Sequence, residues 1–584
     1  IICAYIPLFT LERVERRLFT PMAFTVCYAL LGSMLLALTL IPVLATYLFR
    51  SGSKAWTNPV LTWIQKGYEV VLRFAVRRPA IVVTISALIV VGAFGLATRL
   101  GSEFLPQLDE GVIWVRANFP SGISLDKSAE LASRIRTIVR QSPEVKLASS
   151  QTGRNDSGTD PYGPNRNEIF VPLTPYDTWA HGKTKADLVE ELSKRLHEQI
   201  PGAAFSFTQP IIDNVTEAVT GSAADLAVIL SGPDLARLRM MAGHILDVVK
   251  TVPGAADSAI EQESDQAQLR LAINRQTVAR YGINVRDVED VIEMAIGGRT
   301  VSTMFEGERR FDITVRYVPE ARTDINAIGN ILVPTREGGR VPLSELAEIK
   351  VVTGASIIAR RENRRQITVR TNIRGRDQGS FVAEAQKRFD REVKLPAGYS
   401  VDWGGQFENL DRARRRLTII LPITIAIIFA LLFFAFNSPT YAGLVLMNVP
   451  YSLVGGIIFL YLRGINLSVS AAVGFISLFG VAVMSGVLVV AEINRRRRID
   501  VGGSLEQAVV DGALAQMRPV LMMILVALLG MAPAARATGI GSDVQRPLAT
   551  VVVGGLLSTL LLTLVALPSL YTLASRGSKK LPEA

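Results

Sequence analysis

The stretch VAVMSGVLVVAEINRRRR, from Val481 to Arg498, decides the fold. It begins apolar and small, carries one acid, Glu492, near its end and closes on four arginines. That is the pattern of a membrane helix reaching the cytoplasm, where Lys and Arg accumulate. A crossing needs roughly 20 predominantly apolar residues. Comparable runs occupy 21–49, 79–98, 464–491, 519–535 and 547–575, and 417–462 is long enough to cross twice with a turn at AFNSPTY. The expectation is seven spans.

Basic residues set the orientation. Arg50, Lys54, Lys66, Arg73, Arg77 and Arg78 separate the first two spans, Arg495 to Arg498 separate spans five and six, and Arg576, Lys579 and Lys580 follow the last. These regions alternate and are expected on the cytoplasmic side. LERVERR (11–17) falls outside, against the rule. PVLTWIQKGYEVVLRFAV (59–76) suits an interfacial amphipathic helix whose apolar face holds Trp63, Tyr68, Val71, Leu72 and Phe74.

Composition agrees with a segregated chain. Its 584 residues are 49% hydrophobic yet 20% charged, with a mean hydropathy of +0.31. The net charge of +11 does not point to nucleic acid, because many arginines flank apolar runs. The two cysteines, Cys3 and Cys27, exclude a disulfide framework, and His181, His197 and His244 are scattered. The start, IICAYIPLF, reads as the interior of a membrane segment rather than a signal peptide.

Residues 101–416 are soluble in character and repeat one pattern. GVIWVRANF, VKLASSQTG, NEIFVPL and AAFSFTQ read as strands. The helices are SLDKSAELASRIRTIVRQ and TKADLVEELSKRLHEQ, the second opened by a capping box at Thr184 and Asp187. The scheme returns with DLAVILSG, PDLARLRMMAGHILDVVKTV, ADSAIEQES and AQLRLAI. It returns again with RQITVRTNI, SFVAEAQKRFDREV and SVDWGG. Between them, 284–352 reads as an inserted mixed element. The fold class expected is an α-helical membrane bundle of seven spans plus a large external α+β domain of ferredoxin-like βαβ subdomains. One span, an external domain and five further spans form a six-helix unit behind one lone helix. Transporters built of two parallel repeats are common, so about half of such a protein is expected upstream.

Four motifs carry a family resemblance. GSEFLPQLDEG (101–111), GGQFENLDRA (404–413) and VGFISLFGVAVMSGVLVV (473–490) resemble segments of resistance–nodulation–division exporters. The long run RPVLMMILVALLGM to LPSLYTL (518–573) is similar to the heavy-metal efflux branch of that superfamily, of the cobalt–zinc–cadmium type. The resemblance implies a homotrimeric pump of the bacterial inner membrane, driven by inward proton flow. It also implies a periplasmic adaptor (membrane fusion) protein and an outer-membrane channel as partners. The chain would then comprise the end of a first membrane repeat (1–50), a cytoplasmic linker helix (51–78), a span (79–99), a periplasmic porter and docking domain (100–416), a five-helix bundle (417–575) and a cytoplasmic tail (576–584).

No Asp, Glu, Lys, Arg or His occupies the middle of any span. Intramembrane charge is costly and normally functional. The resemblance places the proton-carrying acids on an upstream helix, before Ile1. Copper and silver members also carry an acid where Met484 stands and a lysine where Val520 stands; this sequence has neither.

Soft ions prefer thioether or thiolate ligands, whereas zinc, cobalt and nickel accept carboxylate, imidazole and water. The three cleft methionines of the silver and copper pumps correspond here to Arg166, Glu217 and Ile283, so a soft-metal site is not expected. The candidate metal-contacting residues are Glu217, Asp213 four residues before it, and Glu168. The bland reading of each is a solvated or salt-bridged surface acid, and Arg166 argues against a cation at its own position. Weak oxygen ligands suit a site that must release its ion. The metal is a transported substrate, and no resident cofactor is expected. TGRNDSGTDPYGPNRN (152–167) lacks the ligand spacing of a calcium loop. No Walker A motif occurs and no nucleophile–base pattern supports an enzyme. The alternative within transport is an exporter of drugs or other hydrophobic compounds, which the 7% aromatic content disfavours. A membrane-anchored receptor is a third reading, but seven close-packing spans exceed what an anchor needs.

Overall fold

The computed structural model describes residues 2–10, 13–48, 58–106, 108–153, 163–210, 224–261, 265–499 and 504–575. Among these, seven helices are long and apolar enough to cross a membrane. The first is the C-terminal part of α1 (Arg13–Leu48); α2 (Pro59–Arg77) and α3 (Pro79–Ala97) follow, with α3 the second.

The chain then enters an α+β lobe. Its first unit runs β1 (Val112–Asn118), α4 (Leu125–Val139), β2 (Ser149–Thr152), β3 (Arg166–Pro172), α5 (Lys185–Gln199) and β4 (Ala204–Thr208). The strands order as β2-β3-β1-β4 with every neighbour antiparallel. The period of two explains which face is covered. Ile113, Val115 and Ala117 turn to α4 and α5, burying Ile135, Leu188, Leu192 and Leu196, at about 1.5–3 kcal/mol per large side chain. Trp114, Arg116 and Asn118 turn the other way. The expected capping box is present: Thr184 accepts from the Asp187 amide and Asp187 accepts from the Thr184 amide.

The second unit runs β5 (Leu226–Gly232), α6 (Leu235–Lys250) and β6 (Ala255–Ile260). After an insertion it resumes with β11 (Arg364–Ile373), α7 (Gln378–Glu392) and β12 (Ser400–Gly404). Its order, β6-β11-β5-β12, is antiparallel and has the same form as the first. The insertion holds β7 (Asp265–Ile273), β8 (Arg299–Glu306), β9 (Arg309–Val315) and β10 (Ala347–Ala355). AQLRLAI therefore departs from its sequence reading. It lies in β7 and pairs with β10 over nine residue positions, outside the repeated sheet. Local pattern cannot see a partner some 80 residues away.

The chain returns to the bundle through Gly405. Its φ is +78°, and a Cβ there would lie 2.7 Å from the Ala224 carbonyl oxygen, so glycine is required. From it α8 (Gln406–Phe436) runs unbroken out of the lobe into its apolar part. Then come α9 (Pro439–Leu446) with α10 (Asn448–Leu462), α11 (Val469–Ile499), α12 (Leu505–Arg536) and α13 (Gln545–Ser575). α13 packs against α10, α11 and α12.

Small residues let these helices touch. A Cβ on Gly554 would sit 2.4 Å from the Gly455 carbonyl oxygen, and one on Gly474 would sit 2.9 Å from that of Leu548. Gly554→Ala should therefore force α10 and α13 apart and cost about 1–3 kcal/mol, read as a lower thermal midpoint in detergent. Gly92→Ala, with no atom within 4 Å of the new methyl, should leave the midpoint unchanged.

The arginines closing α11 are partly folded back. Glu492 accepts from Arg495 at 2.8 Å and Arg496 at 3.0 Å, and Arg497 donates to the Tyr571 hydroxyl at 3.0 Å. The apolar residues of α2 meet two surroundings. Leu72 is buried and the Tyr68 hydroxyl donates to the Leu564 carbonyl at 2.8 Å, whereas Trp63, Val71 and Phe74 stand exposed. One stripe packs on the bundle and the other faces outward.

Candidate functional site

The faces of the two sheets that their helices leave uncovered approach each other, close enough that the charges of Arg116 and Arg166 act on Arg370 with the cleft between them. On the first, Arg116 lies opposite Glu168 in register. The Glu168 Oε1 sits 3.2 Å from Arg116 Nε and 2.8 Å from Arg166 Nη2. Arg116 is 3% exposed and Arg166 9%. On the second, Arg370 projects from β11 within electrostatic reach of Glu261, Arg116 and Arg166.

These positions bear on the sequence candidates. Glu168 lies in the cleft, as a metal contact would, but its carboxylate spans two guanidiniums. Asp213 and Glu217 lie outside the described residues, in 211–223, the segment that joins β4 to β5. Ile283 is not in the cleft; it is 6% exposed in the core of the insertion, beside Val278 and Val288. The acidic turn IEQESDQ and the loop 152–167 fall partly outside the described residues. Among the described residues, no group of three or more His, Cys, Asp or Glu is placed to hold a metal ion.

Below the cleft, one linking segment ties each sheet unit to a different loop of the bundle. Leu467 N donates to the Gly101 carbonyl oxygen at 2.8 Å, and Glu103 N donates to Leu467 O at 3.2 Å, between α10 and α11. The same segment grips the second unit: Ser102 N donates to Asp377 Oδ2 at 3.1 Å and Phe104 N to Gln378 Oε1 at 3.3 Å. Further along, Asp109 N donates to Asp543 Oδ2 at 3.0 Å, and Gly541 N donates to Asp109 O at 3.1 Å, in the loop between α12 and α13. The Asp109 carboxylate then holds the first unit. It accepts from Lys185 Nζ at 2.8 Å, Tyr176 OH at 2.5 Å and Gly111 N at 2.9 Å. The segment thus hydrogen-bonds to both bundle loops and to both sheet units.

Several of these acids are perturbed. Burial pushes Asp109 up, but the Lys185 and Tyr176 hydrogen bonds outweigh it and leave its pKa below the ordinary value. Burial raises Glu103, despite the Asn466 hydrogen bond that favours its anion. Burial also raises Asp225 to about 6, against the lowering effect of the Ile373 amide. The motif GSEFLPQLDEG contains Glu103 and Asp109, but nothing in its local pattern marks either as functional. Their partners Asn466, Lys185 and Asp543 are far away in the chain, and no local spacing announces them.

The profile of the AcrB/AcrD/AcrF family matches residues 1–575. The cobalt-zinc-cadmium resistance protein CzcA of Cupriavidus metallidurans is 40% identical over 583 residues, covering 99% of this chain and 55% of the relative. The nickel and cobalt resistance protein CnrA of the same organism is 36% identical over 590 residues, covering 100% and 55%. A crystal structure of a heavy metal efflux pump aligns with a TM-score of 0.85 at 44% identity, covering 98% of this chain and 57% of that one. The chain spans about half the length of the curated relatives it matches.

Proposed function

The chain belongs to the AcrB/AcrD/AcrF family, and on that premise we propose that it serves proton-driven export of divalent heavy-metal cations, of the zinc, cobalt, cadmium and nickel class. It acts as a secondary transporter, a cation–proton antiporter, rather than an enzyme. The observation that carries the reading is the 44% identity to a heavy metal efflux pump across 98% of the chain. The relatives' names point to the same cargo. The seven apolar helices are its membrane spans, multi-pass in the bacterial inner membrane. The two antiparallel sheet units are ferredoxin-like subdomains of a periplasmic porter domain. A homotrimer, a periplasmic adaptor and an outer-membrane channel complete the tripartite assembly. Asp213, Glu217 and Glu168 remain the proposed metal contacts, with Glu168 able to engage a cation only by exchanging an arginine.

The drug-exporter alternative wants a large apolar pocket. The cavity of about 370 Å³ on the second sheet is instead lined by Arg361, Glu362, Arg364, Asp402 and Glu408, with Trp403 its one aromatic wall. Expression of the complete gene in a host stripped of its own metal exporters tests the choice. Tolerance to zinc, cobalt or cadmium should rise several-fold with drug tolerance unchanged. The reverse pattern would make the protein a drug exporter.

A further inference from the structure

Arginines from three helices meet at the end of the bundle nearest the α+β lobe. Arg463 caps the C-terminus of α10, Arg536 ends α12 and Arg546 lies in the first turn of α13. The loops beside these helix ends are the two that bond to the lobe, at Leu467 and at Gly541 and Asp543. Arg463 Nη1 donates to the Ala535 carbonyl, one residue before Arg536, and to the Thr550 hydroxyl, each at 2.6 Å. Thr550 in turn donates to the Arg546 carbonyl at 2.7 Å. One nitrogen of Arg463 therefore pins α10 to the last turn of α12 and to the stretch of α13 that carries Arg546.

The rest of the two guanidiniums is left over. Among the described residues, the Nε–Nη2 edge of Arg463 meets no acceptor, and its bonds go to neutral oxygens alone. Arg546 Nε is buried without a partner. Its carboxylate neighbour, Asp543, is 3.9 Å from Nη2 and also accepts from the Asp109 amide at 3.0 Å. No strong bond locks the Arg546 guanidinium, whose side chain is 34% exposed, so a ligand can draw its Nε edge outward. Partial burial, and then the charge of Arg546, hold the Arg463 pKa below its ordinary value. Water solvates such edges but brings no charge to offset the repulsion. The Nε–Nη2 edge of arginine is the fork that matches two phosphate oxygens. Tyr461 and Leu462, directly before Arg463, stand exposed. An aromatic and an aliphatic side chain just inside an arginine fit a helix end at the boundary of lipid and water.

We propose that Arg463 and Arg546 clasp the phosphate of a phospholipid headgroup in the leaflet nearest the α+β lobe, with the acyl chains along Tyr461 and Leu462. The headgroup supplies the anion that the two guanidiniums lack and bridges α10 to α13. The inference rests on the helices being membrane spans and not on the cargo. It is measured without metal, so it and the export reading can fail separately.

The test uses the full chain, delipidated in detergent. Dioctanoyl phosphatidylglycerol, dioctanoylglycerol and inorganic phosphate are titrated at ionic strength held constant by sodium chloride. The thermal midpoint should rise and saturate with the phospholipid and with neither of the other two. Arg546→Gln should weaken the phospholipid about tenfold. It should leave the lipid-free midpoint unchanged, because it gives up only the 3.9 Å ion pair, and so it separates binding from folding. Arg463→Gln should weaken the lipid by a similar factor and lower the lipid-free midpoint, since the bonds to Ala535 and Thr550 go with it. Arg364→Gln, on the lobe, should change nothing. An equal rise with inorganic phosphate would make the site one for a free oxyanion, and an equal rise with dioctanoylglycerol would reduce it to an apolar surface; either overturns the lipid assignment. No saturable rise with the phospholipid, or equal affinity in the wild type and Arg546→Gln, overturns it as well.

Discussion

Asp109→Ala should lower the stability of the first sheet unit by about 3 kcal/mol and abolish transport. The substitution leaves the Lys185 ammonium, whose side chain is 18% exposed beside an Asp109 side chain that is 27% exposed, with the neutral Gln209 Oε1 at 2.7 Å as its remaining hydrogen-bond acceptor. Removing one partner of a partly buried pair leaves a charge without its counter-ion, which costs more than the pair contributes. It also removes the acceptor of the Tyr176 hydroxyl. Lys185→Met added to Asp109→Ala should recover most of the stability, because no charge is then left behind. It should not recover transport, since the tie between the bundle loop at 541–543 and the first unit stays cut. Thermal unfolding in detergent and metal uptake into inverted vesicles read the two effects separately. A loss under about 1 kcal/mol with normal uptake would mean that the segment 101–111 is only a linker.

The second large effect is one of pH. Asp225 has its pKa raised from 3.8 to about 6. A carboxyl raised on folding binds its proton more readily folded than unfolded. Between pH 3.8 and about 6 stability therefore falls as pH rises, by up to about 3 kcal/mol. The groups around it are Arg374, which favours the anion, and Asp257 and Glu103, which oppose it. Asp377 and Asp109 have lowered values and act in the opposite direction, losing their contribution as pH falls. They are present in both proteins, so the difference between wild type and Asp225→Asn isolates the one carboxyl. Asparagine keeps an oxygen for the Ile373 amide, which Asp225 accepts at 2.9 Å. Asp225→Asn should be more stable than wild type by about 1–3 kcal/mol at pH 7.5 and should lose that advantage below pH 4. Parallel curves from pH 4 to 8 would show that Asp225 titrates normally.

Much of this was legible in the chain. Apolar runs long enough to cross a bilayer announce themselves without any partner, and each expected span from 21–49 to 547–575 corresponds to a long apolar helix. The strands of the first unit were also readable, because Ile113, Val115 and Ala117 alternate with Trp114 and Arg116 at the period of a half-buried sheet. What local pattern could not carry was pairing at a distance. AQLRLAI has the alternation of either sheet, and only β10 decides where it goes. The apolar arc of α2 was readable, but not that the bundle covers its Leu72 edge while leaving Trp63 outside. In the site, Glu168 was visible as an acid, but Arg116 across the strand pair determines what holds it. Asp109 was hidden for the same reason, with partners at Tyr176, Lys185 and Asp543.

The most direct test of the account is a titration of the purified chain with zinc, cobalt, nickel, cadmium and silver, beside Glu217→Gln. The account predicts micromolar binding of a divalent ion, weakened at least about tenfold in the variant, and no comparable binding of silver. Binding of silver alone, or of apolar dyes with no metal bound, would contradict it.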